Sequence, residues 1–263
     1  MKVKEVIDYY NSYDEEIRLN KSNVHKLEYL TTIKYIEKVM PPKSKILDVG
    51  AGTGAYAFYF ANKGFPVIAG DIVPKLVDIM REKVANTTLD MKIHLWDARD
   101  LSMLDSGKFD VVLCMGPLYH LKGEKDRSKV IGQCLRVLKD GGIIVSAYIN
   151  RFAAYLLEFS SSDDLARDEI ILNDTLSLGH TIKEKLSSFY FSSPEEIETL
   201  MEKHKIEKIA SIGTDGIAYM LGSKINNLKE QEYNYWVNYH LETCENKHLI
   251  GYSLHGLYIG RKR

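Results

Sequence analysis

Three carboxylates at three strand ends, and a glycine turn beside the first, carry the strongest chemical signal in this chain. In the stretch ILDVGAGTGAYAFYF, Asp48 closes an apolar run, Gly50, Gly52 and Gly54 follow, and a helical pattern opens at Ala55. Strand, glycine turn and helix start together form a nucleotide-binding βα unit, because backbone without side chains can approach the ligand closely. Asp71 ends the next apolar run, about 20 residues beyond the first glycine, the distance at which a carboxylate accepts from ribose hydroxyls. Asp97 follows a third run, in WDARDL. The turn and Asp71 define an adenosine ligand and leave two cofactor classes open: a dinucleotide with phosphates, and S-adenosylmethionine with none.

Asp48 and Asp97 separate the two. A carboxylate two residues before the first glycine would hold an anion against a pyrophosphate, which Coulomb repulsion disfavours. The same carboxylate suits an ammonium or sulfonium, and S-adenosylmethionine carries both. Asp97 is placed to accept from the exocyclic amine of adenine, with the backbone of Ala98 facing a ring nitrogen. The two carboxylates therefore favour S-adenosylmethionine, and with it an enzyme that uses this cofactor. A nicotinamide-dependent oxidoreductase and a non-catalytic S-adenosylmethionine-binding module are the alternatives.

Tyr119 and His120 follow the fourth apolar run directly, in FDVVLCMGPLYHL. Imidazole titrates near neutral pH, so His120 is expected to act as general base, with Tyr119 beside it in catalysis and substrate contact. The competing reading is that both pack structurally. Arg18 is a bidentate donor suited to the methionine carboxylate, its alternative being a solvated helix charge. Tyr13 and Ile72 complete the expected cofactor set, and Arg151 and His180 the expected substrate set. The cluster Tyr233, Tyr235, Trp236 and Tyr239 reads as a packing face. Cys114, Cys134 and Cys244 are widely spaced with no CxxC pair, and no metal site is expected.

The elements that must position these residues alternate. A helix with apolar residues at Val24, Leu27, Leu30, Ile33, Ile36 and Met40 stops at Pro41–Pro42. KILDVG, PVIAGD, KIHLWD, FDVVLCMG and IIVSAYI read as strands with helices between them, the helix before the fifth strand ending on Gly141–Gly142 as a left-handed cap. Such alternation implies right-handed crossovers and a parallel sheet. After Ile149 the pattern breaks into helical stretches. It resumes at Ser193, where Ser193, Pro194 and Glu196 form a capping box with proline at the first helical position. IEKIASIG and SLHGLYIGRK are the last strands. The expected organisation is an N-terminal lid and helix (1–40), a cofactor-binding core (41–150), a helical insertion over the substrate (151–190) and completion of the sheet (191–263).

The 263 residues are 45% hydrophobic, enough for one α/β domain with a sizeable insertion. With 35 Lys+Arg against 36 Asp+Glu, the net charge of −1 gives no global electrostatic footprint for nucleic acid. The charged N-terminus and the odd cysteine count fit a cytoplasmic protein, no apolar run reaches the length of a membrane span, and a monomer or homodimer acting on a small molecule is expected.

In ILDVGAGTG, GD at Gly70–Asp71, WDARDL, FDVVLCMGPLYHL and RVLKDGGIIV, in that order, the chain resembles the class I S-adenosylmethionine-dependent methyltransferases over about residues 44–150. The resemblance implies a Rossmann-like, mostly parallel seven-stranded sheet with helices on both faces and the last strand antiparallel. It implies that Gly50 and Gly52 approach the methionine part, that Asp71 binds ribose, that Asp97 and Ala98 bind adenine, and that Met115 lines the methionine pocket. GPLYHL and YYNSYDEEIRL are similar to a bacterial small-molecule branch in which the N-terminal segment folds over the cofactor. The Asn-Pro-type strand ending of amino and base methylases is absent, Gly116–Pro117 standing there instead.

Overall fold

A computed structural model describes residues 3–180 and 188–263. The chain begins with α1 (Val3–Ser12) and α2 (Asn23–Val39), then alternates β1 (Ile46–Asp48), α3 (Ala55–Asn62), β2 (Val67–Asp71), α4 (Pro74–Ala85), β3 (Met91–Leu95), β4 (Phe109–Cys114), α5 (Glu124–Val137) and β5 (Leu138–Asn150). The insertion contributes α6 (Arg151–Ser161) and α7 (Leu165–Ser177). The chain then completes itself with β6 (Phe191–Ser192), α8 (Pro194–Lys203), β7 (Ile206–Gly213), α9 (Gly222–Asn226), α10 (Glu230–Thr243) and β8 (His255–Lys262).

The strand order is β3-β2-β1-β4-β5-β8-β7, with β6 pairing β5 off this path. Strands β1 to β5 are mutually parallel, and β8 runs antiparallel to both β5 and β7. The expected sheet is therefore present, with one addition. The two-residue β6, registered Ile149↔Phe191 and Asn150↔Ser192, is too short for any alternation to announce it.

Continuous apolar strands are explained by burial on both faces. Ile46, Val111, Leu113, Ile143, Val145, Leu257 and Ile259 point to one layer, where they meet Ile33 and Ile36 of α2, Phe60 of α3 and Met80 of α4. The alternate residues Leu47, Val112, Cys114, Ile144 and Tyr258 point to the other, against Val130 and Ile131 of α5 and Ile197, Leu200 and Met201 of α8. Each such side chain removed from water contributes about 1.5–3 kcal/mol, and two layers of them fix the strand register.

The capping box forms as expected: Ser193 Oγ accepts from the Glu196 amide at 3.2 Å, and the Glu196 carboxylate accepts from the Ser193 amide at 2.9 Å. The Gly141–Gly142 cap does not. α5 ends at Val137, Leu138 is already extended, and Gly141, at φ +74°, lies within β5 instead. There the β4–β5 register shifts between Phe109↔Leu138 and Val111↔Ile143, so the left-handed residue serves an irregularity in the strand. Residues 181–187 of the insertion lie outside the described residues. Among the described residues, no helix is long and apolar enough to cross a membrane.

Candidate active site

Parallel strands all end at one edge of the sheet, and the expected cofactor residues meet there. A cavity of about 270 Å³ is lined by Gly50, Gly52, Asp71, Ile72, Asp97, Ala98 and Met115, together with Arg18, Tyr119 and His120. Its floor is the turn after β1. A Cβ on Gly50 would lie 2.6 Å from Cδ of Pro117, and Gly52 has φ +58°, so the first two glycines are required by close approach and by backbone conformation respectively. Trp96 Nε1 donates to the carbonyl of Val49 at 2.9 Å and ties the end of β3 under the turn.

The three carboxylates occupy three different environments. Asp71 accepts from the Gly52 amide at 2.9 Å and the Val73 amide at 3.0 Å, bracing the glycine turn against the start of α4. Burial pushes its carboxyl up to about 6, against the pull of those amides. Asp97 lines the cavity with both oxygens engaged by Arg99, at 2.6–3.0 Å. Burial opposes its ionisation, yet these bonds hold Asp97 below the usual carboxylate range. Asp48 is fully buried behind the turn, and among the described residues no hydrogen bond of good geometry reaches either oxygen. Burial, with Asp71 nearby, pushes it up to about 8. A buried carboxyl without a partner is costly, and a ligand that brings positive charge to this turn relieves that cost. The residues present thus fit a cofactor with an ammonium or sulfonium and do not fit a pyrophosphate.

The N-terminal segment forms the remaining wall. Val6 of α1 packs with Val73 and Leu76 at the start of α4. Lys75 Nζ donates to the carbonyls of Tyr10 and Asn11 at 3.3 and 3.2 Å, capping the last turn of α1. Arg18 is already paired: Nε donates to Glu15 at 2.8 Å, and Nη1 to both oxygens of Glu28 at 3.0 and 2.8 Å. It lines the cavity as one member of a charge network rather than as a free cation.

His120 is held on both sides. Its Nδ1 lies 2.9 Å from the carbonyl of Ser188, which only an N–H can satisfy, so Nε2 is the unprotonated nitrogen and accepts from the Tyr10 hydroxyl at 2.9 Å. Burial lowers its pKa to about 4. The nitrogen expected to take a substrate proton is therefore engaged by α1, in a ring too weakly basic to hold a proton at neutral pH.

A second cavity, about 210 Å³, adjoins the first and shares Tyr10, Glu15, Arg18, Tyr56, Met115 and Tyr119 with it. Tyr13 lines this second cavity and not the first. Its far side is made by Ala147 and Ile149 of β5, Thr214 and Tyr219 after β7, and His255 at the start of β8. From 151–190 only Phe189 reaches it among the described residues. Arg151 donates instead to Glu196 and to the Leu176 carbonyl, and His180 lines neither cavity. Sequence reading did not single out Tyr10, Glu28, Asp215 or His255. For His255 a signal existed: a strand antiparallel to the rest begins at the edge where the others end.

Strand order, glycine turn and acidic strand ends give the core the fold of class I S-adenosylmethionine-dependent methyltransferases. Residues 46–142 match the family described as Methyltransferase domain. The chain is 30% identical over 150 residues to the ubiquinone biosynthesis O-methyltransferase of Xanthomonas axonopodis pv. citri (strain 306), covering 57% of this chain and 59% of that protein. The chain thus spans less than two thirds of the curated relatives it matches. Among solved structures, a Pyrococcus horikoshii protein aligns with a TM-score of 0.62 at 16% identity over 97% of this chain and 99% of that one. A Thermotoga maritima S-adenosylmethionine-dependent methyltransferase, described as a possible histamine N-methyltransferase, aligns with a TM-score of 0.59 at 17% identity over 99% of both. At these identities the two structures establish the fold.

Proposed function

We propose that this protein transfers the methyl group of S-adenosylmethionine to a small-molecule acceptor bound in the second cavity. The observation that carries the reading is that the two cavities lie side by side and share Met115, Tyr119 and Arg18 in their lining. A cofactor on the glycine turn and an acceptor beyond it would meet at that shared wall. The cofactor supplies an activated methyl group. The chain's own residues supply alignment, which for an in-line displacement is a large part of the rate enhancement.

In this reading Asp71 holds the ribose hydroxyls, Ile72 packs on the nucleoside, and Asp97 with the Ala98 backbone faces the adenine edge. Gly50 and Gly52 admit the methionine part, Asp48 balances its positive charge, and Met115 lines the methyl's path. Residues 3–21 act as a lid, fastened to the body by Tyr10 on His120. Tyr119 contacts both ligands, and His120 acts by holding the lid rather than by moving a proton. The acceptor pocket is walled by Tyr9, Tyr13, Tyr56, Tyr219 and Phe189, which favours a compact, single-ring or similarly flat acceptor. The chain works as a monomer or homodimer without nucleic acid. The buried free thiols Cys114, Cys134 and Cys244 favour a reducing compartment such as the cytoplasm.

Turnover of methyl-labelled S-adenosylmethionine against a cell metabolite extract, with the product identified by mass, tests the reading. A labelled small molecule formed in proportion to enzyme is expected. Cofactor binding with no labelled product would leave only a binding module.

A further inference from the structure

At the far wall of the second cavity, Glu28, Asp215 and His255 bring ligand-type atoms within 4.8 Å of one another. The donor chemistry does not suit a metal ion. Both Glu28 oxygens already accept from the Arg18 guanidinium. Asp215, completely buried, accepts from Ser253 Oγ at 2.6 Å, from the Leu254 amide at 2.8 Å, and from His255 through its amide at 3.2 Å and its Nδ1 at 2.7 Å. Those lone pairs are spent on protons, and a cation would have to sit beside Arg18.

What the cluster does instead is orient one imidazole. Asp215 fixes Nδ1 of His255 as the protonated nitrogen, which leaves Nε2 as the basic one. Among the described residues Nε2 has no hydrogen-bond partner, and His255 lines the acceptor cavity. The backbone holding the pair is rigid. His255 pairs with Ile149 at the end of β5, and its carbonyl accepts from the amide and hydroxyl of Thr214 at 2.9 and 3.0 Å. His120 has the opposite arrangement, with both nitrogens occupied.

We propose that His255, oriented by Asp215, is the base that accepts the acceptor's proton during methyl transfer. This rests on the methyltransferase reading above. As the acceptor's oxygen or nitrogen bonds to the methyl carbon, the electron pair of the broken carbon–sulfur bond stays on sulfur. The hydrogen on the acceptor heteroatom moves to Nε2, and the imidazolium passes it to solvent after product leaves. The groups facing the ring are Asp215, Glu28 and Glu15 as anions, Arg18 as a cation, His25, and Tyr219 with its ring centroid 5.7 Å away. Burial alone would lower the basicity of His255. Glu28 and Asp215 outweigh burial and Arg18, and hold it above its ordinary value. An imidazolium formed here is therefore stabilised by the same anions that orient the neutral base.

The test uses the full chain saturated with S-adenosylhomocysteine and labelled with ¹⁵N-histidine. The signal lost in His255→Gln should show the Nδ1–H tautomer and titrate above 6.5, and Asp215→Asn should move that titration lower. An Nε2–H tautomer, or titration below 6.5, overturns the proposal without needing the Asp215 variant to fold. With the methyl-accepting fraction of a metabolite extract, His255→Gln should lose about 100-fold in turnover at pH 7, with cofactor affinity within twofold of wild type. Its rate should keep climbing with pH where wild type levels off. An active wild type with an unimpaired His255→Gln removes this proposal alone. A wild type that binds S-adenosylhomocysteine but methylates nothing removes the enzymatic reading, and the proposal with it.

Discussion

The Tyr10 hydroxyl donates to Nε2 of His120 across 2.9 Å, joining the first helix to the turn after β4 over 110 positions of sequence. Both residues line the first cavity, so the bond spans its wall on the side where α1 lies. It also sets the protonation state of His120, because a ring that donates from Nδ1 and accepts at Nε2 must be neutral.

Tyr10→Phe removes that bond and leaves the aromatic packing. A buried hydrogen bond contributes about 1 kcal/mol, so S-adenosylhomocysteine should bind roughly fivefold more weakly, and amide exchange in residues 3–12 should quicken in the bound state. Unaltered affinity together with unaltered exchange would mean that α1 does not gate the cavity.

Stability should fall in acid through His120. Its folded pKa, about 4, lies below its unfolded value. Between roughly 6.5 and that value the unfolded chain binds the proton and the native chain does not, so stability is lost as pH drops through this window. His240, also lowered by burial to about 4, acts in the same direction. His120→Asn should flatten the decline in melting temperature from pH 6.5 to 4 relative to wild type. An equal slope in both proteins would show that His120 is not buried neutral.

Cofactor binding should release protons near neutral pH. Asp48 has a carboxyl pushed up to about 8 by burial and by Asp71, so at pH 7 it is largely protonated in the free protein. A positive ligand on the glycine turn would favour the carboxylate and expel that proton. Calorimetry of S-adenosylmethionine binding in phosphate and in Tris should give enthalpies that differ in proportion to the buffers' ionisation heats, and Asp48→Asn should abolish the difference. Identical enthalpies in wild type would count against the pairing of Asp48 with the ligand's charge.

Asp71→Ala should cost both affinity and stability. Each lost acceptor leaves the Gly52 or Val73 amide without its partner, a penalty of about 1–3 kcal/mol per group. Cofactor affinity should drop by roughly 2 kcal/mol as the ribose hydroxyls lose a charged acceptor, and the melting temperature should fall as well. Normal affinity in a folded Asp71→Ala protein would remove Asp71 from the ribose site.

Local chemistry determined most of what lines the first cavity. Asp48, Gly50, Gly52, Asp71 and Asp97 sit at strand ends or on the turn beside them, and a strand end in a parallel sheet has only one edge to occupy. Hydrophobic runs placed the strands, and Ser193 with Glu196 marked the start of α8, because capping is a matter of neighbours in sequence. The second cavity was decided by tertiary structure. Asp215 and His255 come together because β8 runs against its neighbours, so its first residue lands where β5 ends. No periodicity in the sequence records that encounter. His120 looked like a free base, and only the fold brings Tyr10 and the Ser188 carbonyl to its two nitrogens. Arg151 and His180 looked placed to reach substrate, yet α6 turns Arg151 toward Glu196 and α7. A residue's type sets which reactions it can perform. Which of its atoms remain free to perform them depends on partners that the chain brings from far away.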